Sequence, residues 1–130
     1  MRIYVTSIFV DDQAKALNFY TNVLGFVAKY DIPVGEHRWL TVVPAEAPLG
    51  TELLLEPNEH PAVKPYQTAM AEDGIPAASF QVDDLHGEVE KLRARGVVFS
   101  VEPMDAGTIR MAIFDDTCGN LIQLVQLKEQ

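Results

Sequence analysis

"FVDDQAKALNFYTNVLGFVAKY" (residues 9–30) decides the fold, because the chain repeats its plan as "QVDDLHGEVEKLRARGVVFSV" (residues 81–101). The two Val-Asp-Asp triplets begin at Val10 and Val82. Each follows a short apolar segment, precedes an amphipathic stretch and is closed by a glycine, Gly25 or Gly96. In the first stretch Ala16, Leu17, Tyr20, Val23 and Leu24 fall on one stripe at helical spacing, and in the second Leu85, Val89 and Leu92 do so. Asp11 or Asp12, and Asp83 or Asp84, can cap the helix starts by accepting from backbone amides that have no partner in the first turn. Gly25 and Gly96 suit the left-handed residue that ends a helix.

Outward from each helix the pattern changes to strands. In the first half they are expected at about 26–33, 37–44 and 51–56, in the second at about 97–102, 108–115 and 121–127. Each half reads βαβββ. Module one is expected over about 1–57 and module two over about 77–130, together one domain spanning 1–130. Between them, about 58–76, "PNEHPAVKPYQTAMAEDGIP" carries Pro57, Pro61, Pro65 and Pro76 and reads as a connector, with a short helix at about 64–73. Its Val63, Tyr66, Met70 and Ile75 are too apolar for a floppy linker.

Composition narrows the function classes. The net charge of −9 would repel a phosphate backbone, so no nucleic-acid partner is expected. No run approaches a membrane span, and "MRIYVTSIFVDDQAK" is not a secretory signal. The one cysteine, Cys118, excludes an internal disulfide and fits a cytoplasmic protein. It sits beside Asp115 and Asp116, which disfavour a thiolate, so it reads as a turn residue and not a nucleophile. His86 falls off the apolar stripe of its helix and is assigned no role.

The duplicated unit, with "FVDDQAKALNFYTNVLGF" (9–26) and "DDTCGNLIQL" (115–124), resembles the vicinal-oxygen-chelate superfamily. That group includes glyoxalase I, extradiol dioxygenases, and bleomycin and fosfomycin resistance proteins. The resemblance implies an α+β fold in which tandem βαβββ modules form a cupped, mostly antiparallel eight-stranded sheet. Enzymes of the group hold a divalent metal with four His, Glu or Gln side chains, one from the first and one from the last strand of each module. Carried over, the first-strand slots fall on Val5 and Ala77, which cannot bind a metal. The last-strand slot of module two falls on Gln123, a poorer ligand than the usual Glu. That of module one falls on Leu53 or Leu54, or on Glu52 if a bulge shifts the strand.

The same resemblance, with period-two alternation, puts Ile3, Val5, Ser7 and Phe9 on one face, with Ala77, Ser79, Gln81, Leu121, Gln123 and Val125 from module two. Trp39 shares a face with His37 and Thr41. The first reading is therefore a metal-independent cytoplasmic homodimer, without cofactor, that binds a small, partly planar organic molecule. Its ligand-binding residues are Gln123, Trp39, Ser7, Phe9, Ser79 and Gln81, with the aromatics stacking and the amides and hydroxyls anchoring. A second reading is a lyase, isomerase or dioxygenase with a displaced metal at Glu52 or Glu56, joined by His37 and His60. A third is an interaction module whose aromatics are simply core and which binds no ligand.

Overall fold

The computed structural model describes residues 1–128. They form two compact units, 1–66 and 67–130 less the last two residues. The first contains β1 (Val5–Val10), α1 (Gln13–Asn18), β2 (Val27–Val34), β3 (His37–Val43) and β4 (Glu52–Pro57). Next comes α2 (Val63–Glu72), which carries the boundary between the units. The second unit continues with β5 (Ala78–Gln81), α3 (Leu85–Ala94), β6 (Phe99–Ala106), β7 (Ile109–Asp115) and β8 (Leu121–Leu127). The eight expected strands are all present. They hydrogen-bond as two four-stranded mixed sheets, ordered β1-β4-β3-β2 and β5-β8-β7-β6. In each sheet the first strand pairs in parallel with the last and the other pairs are antiparallel.

The duplication holds at the level of single atoms. The second aspartate of each pair is the cap: Asp12 Oδ1 accepts from Lys15 N at 3.0 Å, and Asp84 Oδ1 from Gly87 N at 3.2 Å. Both closing glycines have positive φ, 94° at Gly25 and 90° at Gly96, where a side chain would be strained.

The first helix departs from the expected regular stripe. After Asn18 it widens into a π-helical turn over Phe19–Val23, with Leu24 N donating to Phe19 O at 3.0 Å. The Thr21 hydroxyl donates back to Leu17 O at 2.6 Å, a bond that competes with the regular ladder. The widening turns Phe19 inward with Tyr20, their rings edge-to-face at 5.6 Å, and leaves Leu17, Val23 and Leu24 half-buried. In α3 the expected Leu85, Val89 and Leu92 are all buried.

Each helix covers one face of its own sheet. In the first unit Ile8, Val10, Leu40, Val42, Leu53 and Leu55 alternate onto one face and are buried. Gln13, at the start of α1, ties helix to sheet. Its Nε2 donates to Arg38 O (2.7 Å) and Leu55 O (2.8 Å), and its Oε1 accepts from Arg38 N (3.0 Å). In the second unit α3 packs on β6, β7 and β8. There Gln126 Oε1 accepts from Leu85 N at 2.8 Å, the matching tie between helix start and sheet.

Candidate functional site

The faces turned away from the helices carry the residues singled out from the sequence. In the second unit the turn 115–120 sets the last strand. Asp116 Oδ1 accepts from Cys118 N (2.8 Å) and Asn120 N (3.0 Å), and its Oδ2 accepts from Asn120 Nδ2 (2.9 Å). Gln67 Nε2 donates to Asn120 Oδ1 at 3.1 Å, so α2 buttresses the turn. Gly119 has φ 107°, and a Cβ there would meet Gln67 Nε2 at 3.0 Å. Cys118 is buried within this turn, as befits a structural residue.

The turn delivers β8 in register with β5 and β7: Ser79 pairs with Gln123, Gln81 with Val125, and Ile113 with Gln123. The Ser79 hydroxyl donates to Gln123 Oε1, and Gln123 Nε2 donates to Met111 Sδ at 3.3 Å. Ser79, Gln123 and Gln81 thus share one face; Ser79 and Gln81 are exposed and Gln123 is half-buried. The structure brings these three together as the alternation implied. It adds Met111, a polarizable contact that sequence reading did not include.

In the first unit Ser7, Phe9 and Val5 lie on the face of β1 opposite Ile8 and Val10. Trp39 shares that face because Thr41, two residues on, pairs with Leu54, the partner of Ser7; it is 37% exposed, so it is not packed away as core. Phe9 is half-buried and Ser7 exposed.

Register resolves the ambiguous slot. Ser7 pairs with Leu54, as its repeat counterpart Ser79 pairs with Gln123, and β1 and β4 run in step without a bulge. The counterpart of Gln123 is therefore Leu54. The slots Val5, Leu54, Ala77 and Gln123 supply one amide between them, and its two polar ends already bond Ser79 and Met111. Such a donor set does not fit a divalent ion. Nor do the alternative ligands converge: among the described residues no three His, Cys, Asp or Glu side chains form a metal-binding group. His37 Nε2 instead pairs with Glu59 at 2.5 Å, and His60 Nδ1 accepts from Ala62 N at 3.1 Å.

Glu52 is a buried carboxylate. It pairs with Val5, lies on the same face as Leu54, and is only 1% exposed. Its Oε2 is 3.7 Å from Lys29 Nζ. Lys29 reaches inward because β2 bulges between Ala28 and Tyr30, leaving it the extra residue of the strand. The Glu52 carboxylate holds the neighbouring Tyr4 phenol above its ordinary value, with burial, the Tyr30 phenol and a hydrogen bond to Glu52 adding to the shift. One signal in the sequence pointed here: Glu52 stands two residues from Leu54, hence on its face. The bulge that brings Lys29 left no such trace.

A separate hollow of about 360 Å³ lies in the second unit, lined by Leu85, His86, Pro103, Met104, Asp105 and Arg110. Arg110 there pairs with Asp105 at 3.3 Å. His86 is exposed, as expected, and none of the six residues is a sequence-derived candidate.

Comparison with known proteins places this geometry. The family model described as "Glyoxalase/Bleomycin resistance protein/Dioxygenase superfamily" matches residues 2–124. A Bacillus subtilis (strain 168) protein, YurT, is 55% identical over 97% of this chain and 99% of its own. The crystal structure of UcmS2 superposes with a TM-score of 0.83 at 32% identity, covering 96% of this chain and 97% of that one. TnmS3, described as an antibiotic binding protein from Streptomyces sp. CB03234, superposes with a TM-score of 0.79 at 30% identity, covering 98% and 97%.

Proposed function

We propose a metal-independent binding function from one premise: the chain belongs to the glyoxalase/bleomycin resistance protein/dioxygenase superfamily. Within that family this protein binds a small, partly planar organic molecule and does not transform it. The observation that carries the reading is the chemistry of the family's metal slots. Val5, Leu54 and Ala77 are apolar, and Gln123 is held by Ser79 and Met111 as a neutral hydrogen-bonding group. Exposed polar groups beside apolar and aromatic side chains are the usual lining of a small-molecule site. In the first unit Trp39 and Phe9 are the stacking groups and Ser7 a hydroxyl anchor; in the second unit Gln123, Ser79 and Gln81 are the hydrogen-bonding anchors. The likeness to TnmS3, an antibiotic binding protein, supports a ligand of drug-like size. The working form is a cytoplasmic homodimer.

Two measurements test this. Elemental analysis of the purified protein should find no stoichiometric divalent metal, and added Ni, Zn, Mn or Fe(II) should leave the melting temperature unchanged. Planar antibiotics and aromatic metabolites should include some that quench Trp39, the one tryptophan, in a saturable way. A stoichiometric metal that also raises the melting temperature overturns the reading in favour of metal-dependent lyase, isomerase or dioxygenase chemistry. No saturable quenching by any of them leaves the interaction module as the better account.

A further inference from the structure

Glu52 is the one carboxylate among the described residues that is buried with an oxygen lacking any hydrogen-bond partner. Its Oε1 accepts nothing; the carboxylate's other neighbours are the Tyr4 phenol, which hydrogen-bonds it, and Lys29 Nζ, 3.7 Å from Oε2 and beyond hydrogen-bond reach. Lys29 is committed elsewhere, donating to Pro48 O at 2.9 Å. Burying a carboxylate oxygen without a donor is costly, so a group that supplies one gains more than it would in water. Neither helix packing nor sheet pairing explains an acid at this position, since the strand's backbone bonds would form equally well with an apolar side chain. Glu52 also lies on the candidate face, beside Val5 and in line with Leu54.

We propose that Glu52 is a ligand anchor that receives a protonated amine of the bound molecule, with the rings of Tyr4 and Tyr30 flanking the cation. The inference rests on the small-molecule reading above and deepens it by naming a charge on the ligand. An amine fits better than a metal ion. Among the described residues Glu52 belongs to no group of three carboxylate, imidazole or thiol side chains that could hold a metal, and the Lys29 ammonium at 3.7 Å repels a dication more than a monocation. An amine is also a better match than an alcohol, because a charge-assisted hydrogen bond to a carboxylate is about twice as strong as a neutral one. The two phenol rings offer π faces to a cation, and both residues are partly open to solvent, Tyr4 at 63% and Tyr30 at 40%. Tyr4 lies just before β1 with its phenol hydrogen-bonded to the carboxylate, beside which the amine would supply the donor that Oε1 lacks. The chain's net charge of −9 favours the approach of a cation.

Isothermal titration with two probes of equal shape tests the anchor: 2-naphthylmethylamine, cationic at neutral pH, and 2-naphthylmethanol, neutral. The amine should bind about tenfold more tightly, the size of one charge-assisted bond. In Glu52→Gln, which keeps the shape and removes the charge, the preference should fall to within about twofold while the alcohol binds as before. In Lys29→Met the preference should grow, because the competing ammonium is gone. This variant decides the matter if Glu52→Gln does not fold. Equal binding of both probes to the native protein, or a preference that survives Glu52→Gln or shrinks in Lys29→Met, overturns the anchor and leaves small-molecule binding standing. Binding of neither probe overturns the anchor and counts against the binding reading as well.

Discussion

Asp116→Ala should destabilise the protein more than any other single change in the 115–120 turn. The native carboxylate accepts three hydrogen bonds, from Cys118 N at 2.8 Å, Asn120 N at 3.0 Å and Asn120 Nδ2 at 2.9 Å, in a buried setting. Each buried donor that loses its acceptor costs about 1–3 kcal/mol, and the three share one anchor, so their sum falls short of additive. The expected loss is about 3–6 kcal/mol, a large part of the total stability of a small domain. Asp116→Asn separates the contributions. Its amide oxygen can still receive both backbone N–H groups, but its NH2 then faces Asn120 Nδ2, donor against donor. Rotating the Asn120 amide relieves that clash only by turning Asn120 Oδ1 away from Gln67 Nε2, which it accepts from at 3.1 Å. The asparagine variant should therefore lose about 1–3 kcal/mol. Urea unfolding at neutral pH reads both values. The consequence also reaches the site, because this turn launches β8 and sets Gln123 opposite Ser79. An alanine variant within about 1 kcal/mol of the native protein, or equal losses in both variants, would refute the reasoning, since either would mean the carboxylate is not what holds the turn.

Further outcomes follow from the same geometry. Gly119→Ala should cost about 1–3 kcal/mol by thermal unfolding, because φ is 107° and the new Cβ would approach Gln67 Nε2 to 3.0 Å. Gln123→Glu restores the family's usual carboxylate, yet it should bind no stoichiometric divalent metal by elemental analysis, since Val5, Leu54 and Ala77 remain donorless. In Glu52→Gln the Tyr4 phenol should titrate closer to its ordinary 10.0 in ultraviolet difference spectra, because the carboxylate is the first cause of its upward shift. Asp31 is held below its ordinary 3.8 chiefly by its hydrogen bond to Arg38. A depressed carboxyl stabilises the folded state above 3.8 and loses that contribution as pH falls through the folded value. The stability gap between native protein and Asp31→Asn should therefore be present at neutral pH, shrink below 3.8 and narrow with added salt.

The repeated Val-Asp-Asp triplets were enough, by themselves, to place two βα starts, a pair of candidate caps at each and the closing glycines; the structure chose Asp12 and Asp84. These are local matters: a carboxylate reaches an amide three residues away, and a left-handed residue is needed wherever a helix stops. Period-two alternation likewise placed Ser79, Gln81 and Gln123 on one face and Ser7 and Phe9 on another, since a side chain's face depends only on its own strand. What alternation could not decide was which residue of one strand stands beside which of another. Register between β1 and β4 comes from pairing across some 47 residues of chain, from Val5 to Glu52, and only that pairing shows Leu54 in the slot and Glu52 beside it. The β2 bulge that aims Lys29 at Glu52 and the Gln13 side chain that stitches α1 to β3 and β4 are tertiary in the same sense. Each depends on a partner distant in sequence, and the burial of the Glu52 carboxylate is set by the packing of neighbours that no local pattern encodes.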